Sequence, residues 1–407
     1  MPDTHALAGD AFPVLRKCPY LPPEEYRALR DAGAPVAARL YHGRRVWVVT
    51  QYEQARAVLH DNRFSSDITH PGYPIYAEAL EGFRGFPLLN TLDPPEHTAQ
   101  RKAVVGEFTL RRAEALRPAM QKKADELVDV MIADGNTADL VAAFAEPLAG
   151  TITCWALGME YADLKAWLVD SREVREKASG SAVDTGQVGQ EIAHQIVALQ
   201  QYFEKFVDGK LQKPGDDPVS RVIEKYVRTG ALTKEELVKM CFVIFVAGQS
   251  PVKAMITIGL LRLLERPGEL AAVQENPQLL PSAVGELTRL VSPLDLMPRV
   301  AMEDVEVGGQ LIRAGEGVVV SGAAANRDPA EYPEPDRLDL TREARGHLAF
   351  GSGSHHCLGS GLTKVGLQVA YGTILSRLPG LRLTESAQDV YEHPSWHPEL
   401  GRMPVTW

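Results

Sequence analysis

The sequence predicts a mainly α-helical protein with a minor β region, on three observations. Apolar residues recur at helical spacing through residues 111–132, 164–177, 187–211 and 233–265, each stretch punctuated by Gly, Pro or Asp. β-prone runs are confined to residues 36–50 and 300–320. No repeat, low-complexity tract or loose linker divides the chain, so residues 1–407 are expected to form a single domain. The composition agrees. With 45% hydrophobic residues, 34 Gly without a period and only 4 Cys, the chain is neither disordered, collagenous nor a disulfide scaffold, and it has ample material to bury a core or a bulky cofactor.

Taken in order, the chain starts Met1-Pro2-Asp3-Thr4-His5, without the basic and apolar regions of a secretory signal. Prolines at Pro19 to Pro23 and at Pro94-Pro95 interrupt the first hundred residues, and His42-Gly43 separates two β-prone runs that read as a hairpin. Helical patterning dominates from Glu96 onward. A net charge of −10 without a basic tract argues against nucleic acid as a partner. The most apolar run, near Cys241 to Gly248, is too short to span a bilayer, so a cytoplasmic protein with no membrane partner is expected. Cys18, Cys154, Cys241 and Cys357 have no close spacing and need not act together.

The helix over 233–265 stands apart. Thr233 and Glu236 form a capping box, and Pro267 stops a run of about 33 residues, roughly 50 Å of helix. Its centre, Cys241 to Gly248, is apolar on every face, as in a helix buried through a large protein. Pro251 then removes an amide donor, frees the Ala247 carbonyl and is expected to kink the helix beside Ala247 and Gly248, opening an interior groove.

Residues 347–361 read His-Leu-Ala-Phe-Gly-Ser-Gly-Ser-His-His-Cys-Leu-Gly-Ser-Gly, and Leu358, Leu362, Val365, Val369 and Leu375 follow at helical spacing. A glycine-rich loop thus delivers Cys357 to a helix N-terminus, where the dipole and unpaired N–H groups favour a thiolate, a strong donor to iron. A dinucleotide loop would need glycine where His356 stands. A zinc site from His347, His355, His356 and Cys357 would need three consecutive side chains to converge on one ion. An isolated cysteine is most often a buried structural one, and its neighbours decide otherwise here.

The pattern Phe350-Gly351-x-Gly353-x-His355-x-Cys357-x-Gly359 resembles the haem-binding loop of the cytochrome P-450 family. Glu286-Leu287-Thr288-Arg289 resembles its ExxR helix, Asn326-Arg327-Asp328-Pro329 with Pro335-Asp336-Arg337 the segment completing a Glu-Arg-Arg network, and Asp93 to Thr98 with Arg101 the start of its C helix. The resemblance covers essentially the whole chain. It implies a single-domain cytochrome P-450 fold with a long central I helix over the haem, and haem b with Cys357 as its metal ligand. It also implies propionate contacts from His97, Arg101, Arg299 and His355. The implied activity is that of a monooxygenase placing one atom of O2 in an organic substrate, with electrons from NAD(P)H through a ferredoxin and its reductase.

The chain departs from the family in its central helix. Ala247-Gly248-Gln249 keeps the small groove, but Ser250 replaces the usual acid and Pro251 the usual threonine, so both proton-relay side chains are missing. Protons then come through Ser250, Gln249, waters at the Ala247 carbonyl or a substrate hydroxyl, or the outcome is coupling, desaturation or peroxide-driven oxidation. A non-catalytic haem protein is the competing class. Family substrate regions map to residues 66–91, 170–199 and 293–297 and to a turn at 391–397. They point to Leu88, Leu89, Leu294, Leu296 and Trp396 for a bulky, mainly apolar natural-product intermediate, with Asp295 and His393 as candidate polar contacts.

Overall fold

A computed structural model describes residues 12–162, 165, 185–391 and 395–407. The helix expected over 164–177, much of the 170–199 region and His393 lie outside them. The expected hairpin forms: β1 (Val36–Arg39) pairs antiparallel with β2 (Arg45–Val49), Val36 opposite Val48. With β3 (Phe64–Ser65), β5 (Leu296–Ala301) and β8 (Gly317–Ser321) they make a five-stranded sheet in the order β1-β2-β8-β5-β3. β8 is buried along its whole length, and its unbroken Val318-Val319-Val320 run is the pattern of a strand covered on both faces. β4 (Thr137–Asp139), β9 (Arg382–Leu383) and β10 (Pro404–Thr406) form a second sheet, and β6 (Val305–Val307) pairs with β7 (Gln310–Ile312).

Helices supply most of the remainder. In chain order they include α1 (Glu25–Asp31), α2 (Tyr52–His60), α3 (Glu96–Val104), α4 (Leu110–Ala133), α5 (Glu146–Leu157), α6 (Thr185–Gln212) and α7 (Pro218–Val222). There follow α8 (Lys234–Leu264), α9 (Pro267–Glu275), α10 (Leu280–Val291), α11 (Gly322–Ala325) and α12 (Ser360–Arg377). α8 packs against α5, α6, α10 and α12, and α12 lies along α4. The main core cluster therefore gathers residues from both halves of the chain, from Ala113 to Val405.

α8 starts as its sequence dictates. Thr233 Oγ1 accepts the Glu236 amide at 3.1 Å, and Glu236 Oε2 accepts the Thr233 amide at 2.7 Å. From Val252 to Leu263 every residue is buried. Gly259 is required by a close approach: a Cβ there would stand 2.0 Å from the Tyr371 hydroxyl, which donates to the Met255 carbonyl. Pro251 does not divide α8, which continues as one helix to Leu264. The whole helix is long and apolar enough to cross a membrane, which the short run at Cys241 to Gly248 alone did not suggest. Its packing explains the composition instead, since 67% of its most apolar window is buried inside the protein.

Asp295, within the 293–297 stretch, is buried and its carboxylate is occupied by the fold. One of its oxygens accepts from Ser321 Oγ at 2.7 Å and the Ala323 amide at 2.8 Å, and the other pairs with Arg16 at 3.3 Å. Arg16 also donates to the carbonyls of Val291 and Ser292, both at 2.9 Å, closing the C-terminal end of α10. Removing one member of a buried pair strands the other. Asp295→Ala is therefore expected to lower unfolding free energy by roughly 3–5 kcal/mol. A denaturant midpoint that barely moves would contradict this.

Candidate functional site

The site is built outward from α10. Glu286 and Arg289, three residues apart on this helix, are wholly buried and form a bidentate pair: Arg289 Nε to Glu286 Oε2 at 2.7 Å and Nη2 to Oε1 at 2.8 Å. Arg289 also donates to the carbonyls of Asn326, at 2.6 Å, and Pro335, at 2.9 Å. The third member is Arg342, whose Nε lies 3.1 Å from Glu286 Oε1, and not the expected Arg337. Arg337 pairs with Glu334 at the surface, at 2.9 Å. The reason lies in the intervening turn. Asp336 is held by Arg327 at 2.9 Å while the Pro335 carbonyl faces Arg289, so the chain returns to Glu286 only at residues 339–342.

Asn326 carries this network to the cysteine loop. Its Nδ2 donates to Ser292 Oγ at 2.8 Å, and its Oδ1 accepts the Leu348 amide at 2.6 Å. Within the loop, the Cys357 amide donates to the Phe350 carbonyl at 2.8 Å. Gly351 and Gly353 have φ of +67° and +71°, and a Cβ on Gly353 would sit 2.2 Å from the Leu59 carbonyl oxygen. Only glycine permits both that backbone conformation and that approach to the end of α2. His60, the last residue of α2, meets Ser352 Oγ at 2.7 Å. Cys357 then precedes α12 by three residues and is solvent-accessible.

The thiol differs from expectation in one respect. Burial of its surroundings pushes the Cys357 pKa up, against the opposing pull of the Gly359 and Ser360 amides and of Arg101. Desolvation outweighs the helix N-terminus, so the thiolate expected from the dipole alone is not favoured in the free protein, while the Gly359 and Ser360 amides and Arg101 are placed to stabilise the sulfur if a bound cation displaced its proton. Cys154 and Cys241 are buried, and burial pushes the Cys241 thiol up to about 12, as for inert core thiols.

The four predicted basic residues converge. The rings of His97 and His355 stack at 4.1 Å, and Arg101 and Arg299 both act electrostatically on each of them. Burial, reinforced by Arg299, His97 and Arg101, holds His355 neutral with a pKa lowered to about 3. Arg299 is only 8% exposed, donates to the Pro298 carbonyl and forms no ion pair among the described residues. A buried guanidinium with no carboxylate at ion-pair distance, and only the more distant pull of Asp93, suits an anionic ligand. Arg101 additionally donates to the His356 carbonyl at 2.6 Å, which ties α3 to the cysteine loop.

On α8 the predicted groove residues separate. Val246, 40% exposed, and Ala247 are open in the middle of an otherwise buried helix. Gly248 instead serves packing, since its Cβ would stand 3.0 Å from the Thr153 side chain of α5. Gln249 is buried, Ser250 is half-buried and donates to Glu399 Oε2 at 2.9 Å, and Pro251 is half-buried. The substrate candidates divide into two groups. Leu88 and Leu89 are buried with Phe203, Phe242 and Phe245, against which Phe83 and Phe86 also pack. Leu294 is 49% exposed, Leu296 is half-buried, and Trp396 meets Tyr76 edge to face at 5.2 Å. Sequence reasoning missed Arg342, Lys253 and Glu399. Only Lys253 left a signal, as a lone charge within the apolar stretch of α8.

A mostly helical chain with one long helix buried through its centre, and a glycine-rich loop presenting a cysteine at a helix N-terminus, is the arrangement expected of a haem-thiolate oxidoreductase. The comparisons carry this to the family. The Cytochrome P450 family model matches residues 186–389, and the chain belongs to that family. It is 41% identical to pentalenic acid synthase of Streptomyces avermitilis, across 100% of this chain and 99% of that protein. It is 38% identical to 20-oxo-5-O-mycaminosyltylactone 23-monooxygenase of Streptomyces fradiae, across 94% of this chain and 89% of that one. The crystal structure of mycinamicin VIII C21 methyl hydroxylase from Micromonospora griseorubida superposes with a TM-score of 0.90 at 29% identity, covering 98% of this chain and 100% of the other. The protein is thus a monooxygenase-type oxidoreductase that uses haem iron, a small-molecule substrate and redox partners.

Proposed function

We propose that residues 1–407 act as one cytoplasmic haem b monooxygenase unit whose substrate is a bulky, mainly apolar intermediate of secondary metabolism. Cys357 would be the iron ligand. The observation that carries the assignment is the loop itself, in which Gly351 and Gly353 adopt positive φ and the Glu286–Arg289–Asn326 network fixes the Leu348 amide ahead of the cysteine. Bound haem with a thiolate ligand activates O2 so that one oxygen atom enters the substrate and the other leaves as water. The amides of Gly359 and Ser360 hold the sulfur, while His97, Arg101, Arg299 and His355 would neutralise the haem carboxylates.

Val246 and Ala247 form the open face of α8 and would bound the oxygen side of the chamber, with Gln249, Ser250 and Pro251 beyond them. Leu88, Leu89, Leu294, Leu296 and Trp396 supply apolar surface for the substrate, orienting it by shape and excluding water. The names of the relatives, a pentalenic acid synthase and a 20-oxo-5-O-mycaminosyltylactone 23-monooxygenase, support a natural-product substrate of this class. Electrons would pass from NAD(P)H through a ferredoxin reductase and a ferredoxin. Ser250 and Pro251 favour one second reading, in which the altered proton supply diverts the reaction to coupling, desaturation or peroxide-driven oxidation.

The reduced protein under carbon monoxide tests the assignment directly. It is expected to show the long-wavelength band of thiolate ligation, and Cys357→Ser is expected to remove it. A band of the histidine-ligated type would overturn the role of Cys357.

A further inference from the structure

Ser250, Lys253 and Glu399 meet where α8 lacks the family's acid and threonine. Ser250 lies four residues from Val246 and three from Ala247, so it shares their open face, whereas Lys253, the next residue along that face, is 5% exposed. The Ser250 hydroxyl donates to Glu399 Oε2 at 2.9 Å, and Glu399 Oε1 pairs with the Lys253 ammonium. His397 Nε2 stands 3.5 Å from the same hydroxyl oxygen. The Lys253 side chain is 6% exposed and that of Glu399 21%, so the carboxylate is the solvent end of the cluster and the ammonium its buried anchor.

A buried ion pair is a poor way to stabilise a helix that is otherwise apolar. An aliphatic residue at 253 would fill the same space without the desolvation penalty. The pair holds one carboxylate against one hydroxyl at the edge of the open face of α8, an acid–alcohol arrangement assembled from two distant segments. Pro251 adds an acceptor beside it, since the Ala247 carbonyl has no amide at residue 251 to bond and can order a water next to Ser250.

We propose that Glu399, fixed by Lys253, is the residue that positions and supplies protons through Ser250, in place of the missing acid and threonine; this rests on the monooxygenase reading above. Converting one atom of O2 to water while the other enters the substrate consumes two electrons, from the redox partner, and two protons. The Glu399 carboxylate first takes a proton from solvent at its exposed edge. As Ser250 gives its hydroxyl proton toward the departing oxygen, directly or through the ordered water, its oxygen accepts the proton of the Glu399 carboxyl, which returns to the carboxylate. Lys253 keeps its charge throughout.

The test uses the full-length holoprotein as wild type, Ser250→Ala, Glu399→Gln and the double variant Lys253→Met/Glu399→Gln, which removes both buried charges. The carbon monoxide band of the reduced wild type checks the underlying reading separately, because its loss there would sink the haem-thiolate assignment rather than the relay. In the infrared, the carboxylate band that Glu399→Gln deletes is expected to shift in Ser250→Ala; an unmoved band would show that the two groups are not bonded in solution and overturn the proposal. With reduced ferredoxin and O2 alone, the rate of oxygen reduction to water is expected to fall by roughly 100-fold in both single variants, with hydrogen peroxide rising in its place. The double variant decides between chemistry and architecture. Peroxide that stays high supports the relay, whereas water yield restored to wild type means that Glu399 only neutralises Lys253.

Discussion

Arg289→Ala is expected to yield a protein that neither folds to full stability nor retains haem. The guanidinium is wholly buried and serves two oxygens of Glu286 and the carbonyls of Asn326 and Pro335, so its removal leaves a buried carboxylate with, among the described residues, Arg342 and the Asp339 amide. Breaking a buried pair in this way costs roughly 3–5 kcal/mol, a large share of the stability of an ordinary domain. Arg289→Lys should fail nearly as badly, because an ammonium cannot reproduce the fork that spans Glu286 and two carbonyls. Urea unfolding and haem content of the purified variants give the measurement. Near-normal values for both would show that the loop is held by something other than this network.

Gly353→Ala carries the second large effect, confined to the cysteine loop. The substitution places an L side chain at φ +71° and a methyl group 2.2 Å from the Leu59 carbonyl oxygen, a backbone atom that cannot rotate away. Strain and overpacking each contribute roughly 1–3 kcal/mol. The expected result is a folded protein in which much of the thiolate-type carbon monoxide band is lost. Gly361→Ala is the control. Its methyl would lie 3.6 Å from Leu110 Cα, an ordinary contact, and the band should be retained. Equal behaviour of the two variants would refute the argument.

The parts of the site that were legible in the sequence are those written in local spacing. The loop from Phe350 to Gly359, the Glu286–Arg289 pair and the capping box of α8 each depend on residues a few positions apart, so pattern and geometry coincide. The four basic residues were readable only as an ordered set, since stacking of His97 on His355 joins segments far apart in the chain. Arg342 was misassigned to Arg337 because the path of the 333–342 turn is set by Arg327 and Asp336, which no periodicity records. Leu88 and Leu294 illustrate another limit: an apolar residue lining a chamber and one filling a core are chosen by the same hydrophobicity. Glu399 was invisible because its meaning comes from Ser250, 149 residues earlier in the chain, and from Lys253.

The parallel pairing of β2 with β8 has a consequence for biosynthesis. On the edge away from β1, Val46 to Val49 pair with Gly317 to Val320, which are made only after most of the chain. During translation the hairpin must wait with one hydrogen-bonding edge open and its apolar side chains uncovered, a template for pairing with other chains. Closure over such a sequence separation is slow, so the interval of vulnerability is set by the speed of the ribosome as much as by the final stability of the fold. Low temperature and slow induction, which keep the concentration of such half-made chains small, should therefore raise soluble yield more than any stabilising substitution in the finished core.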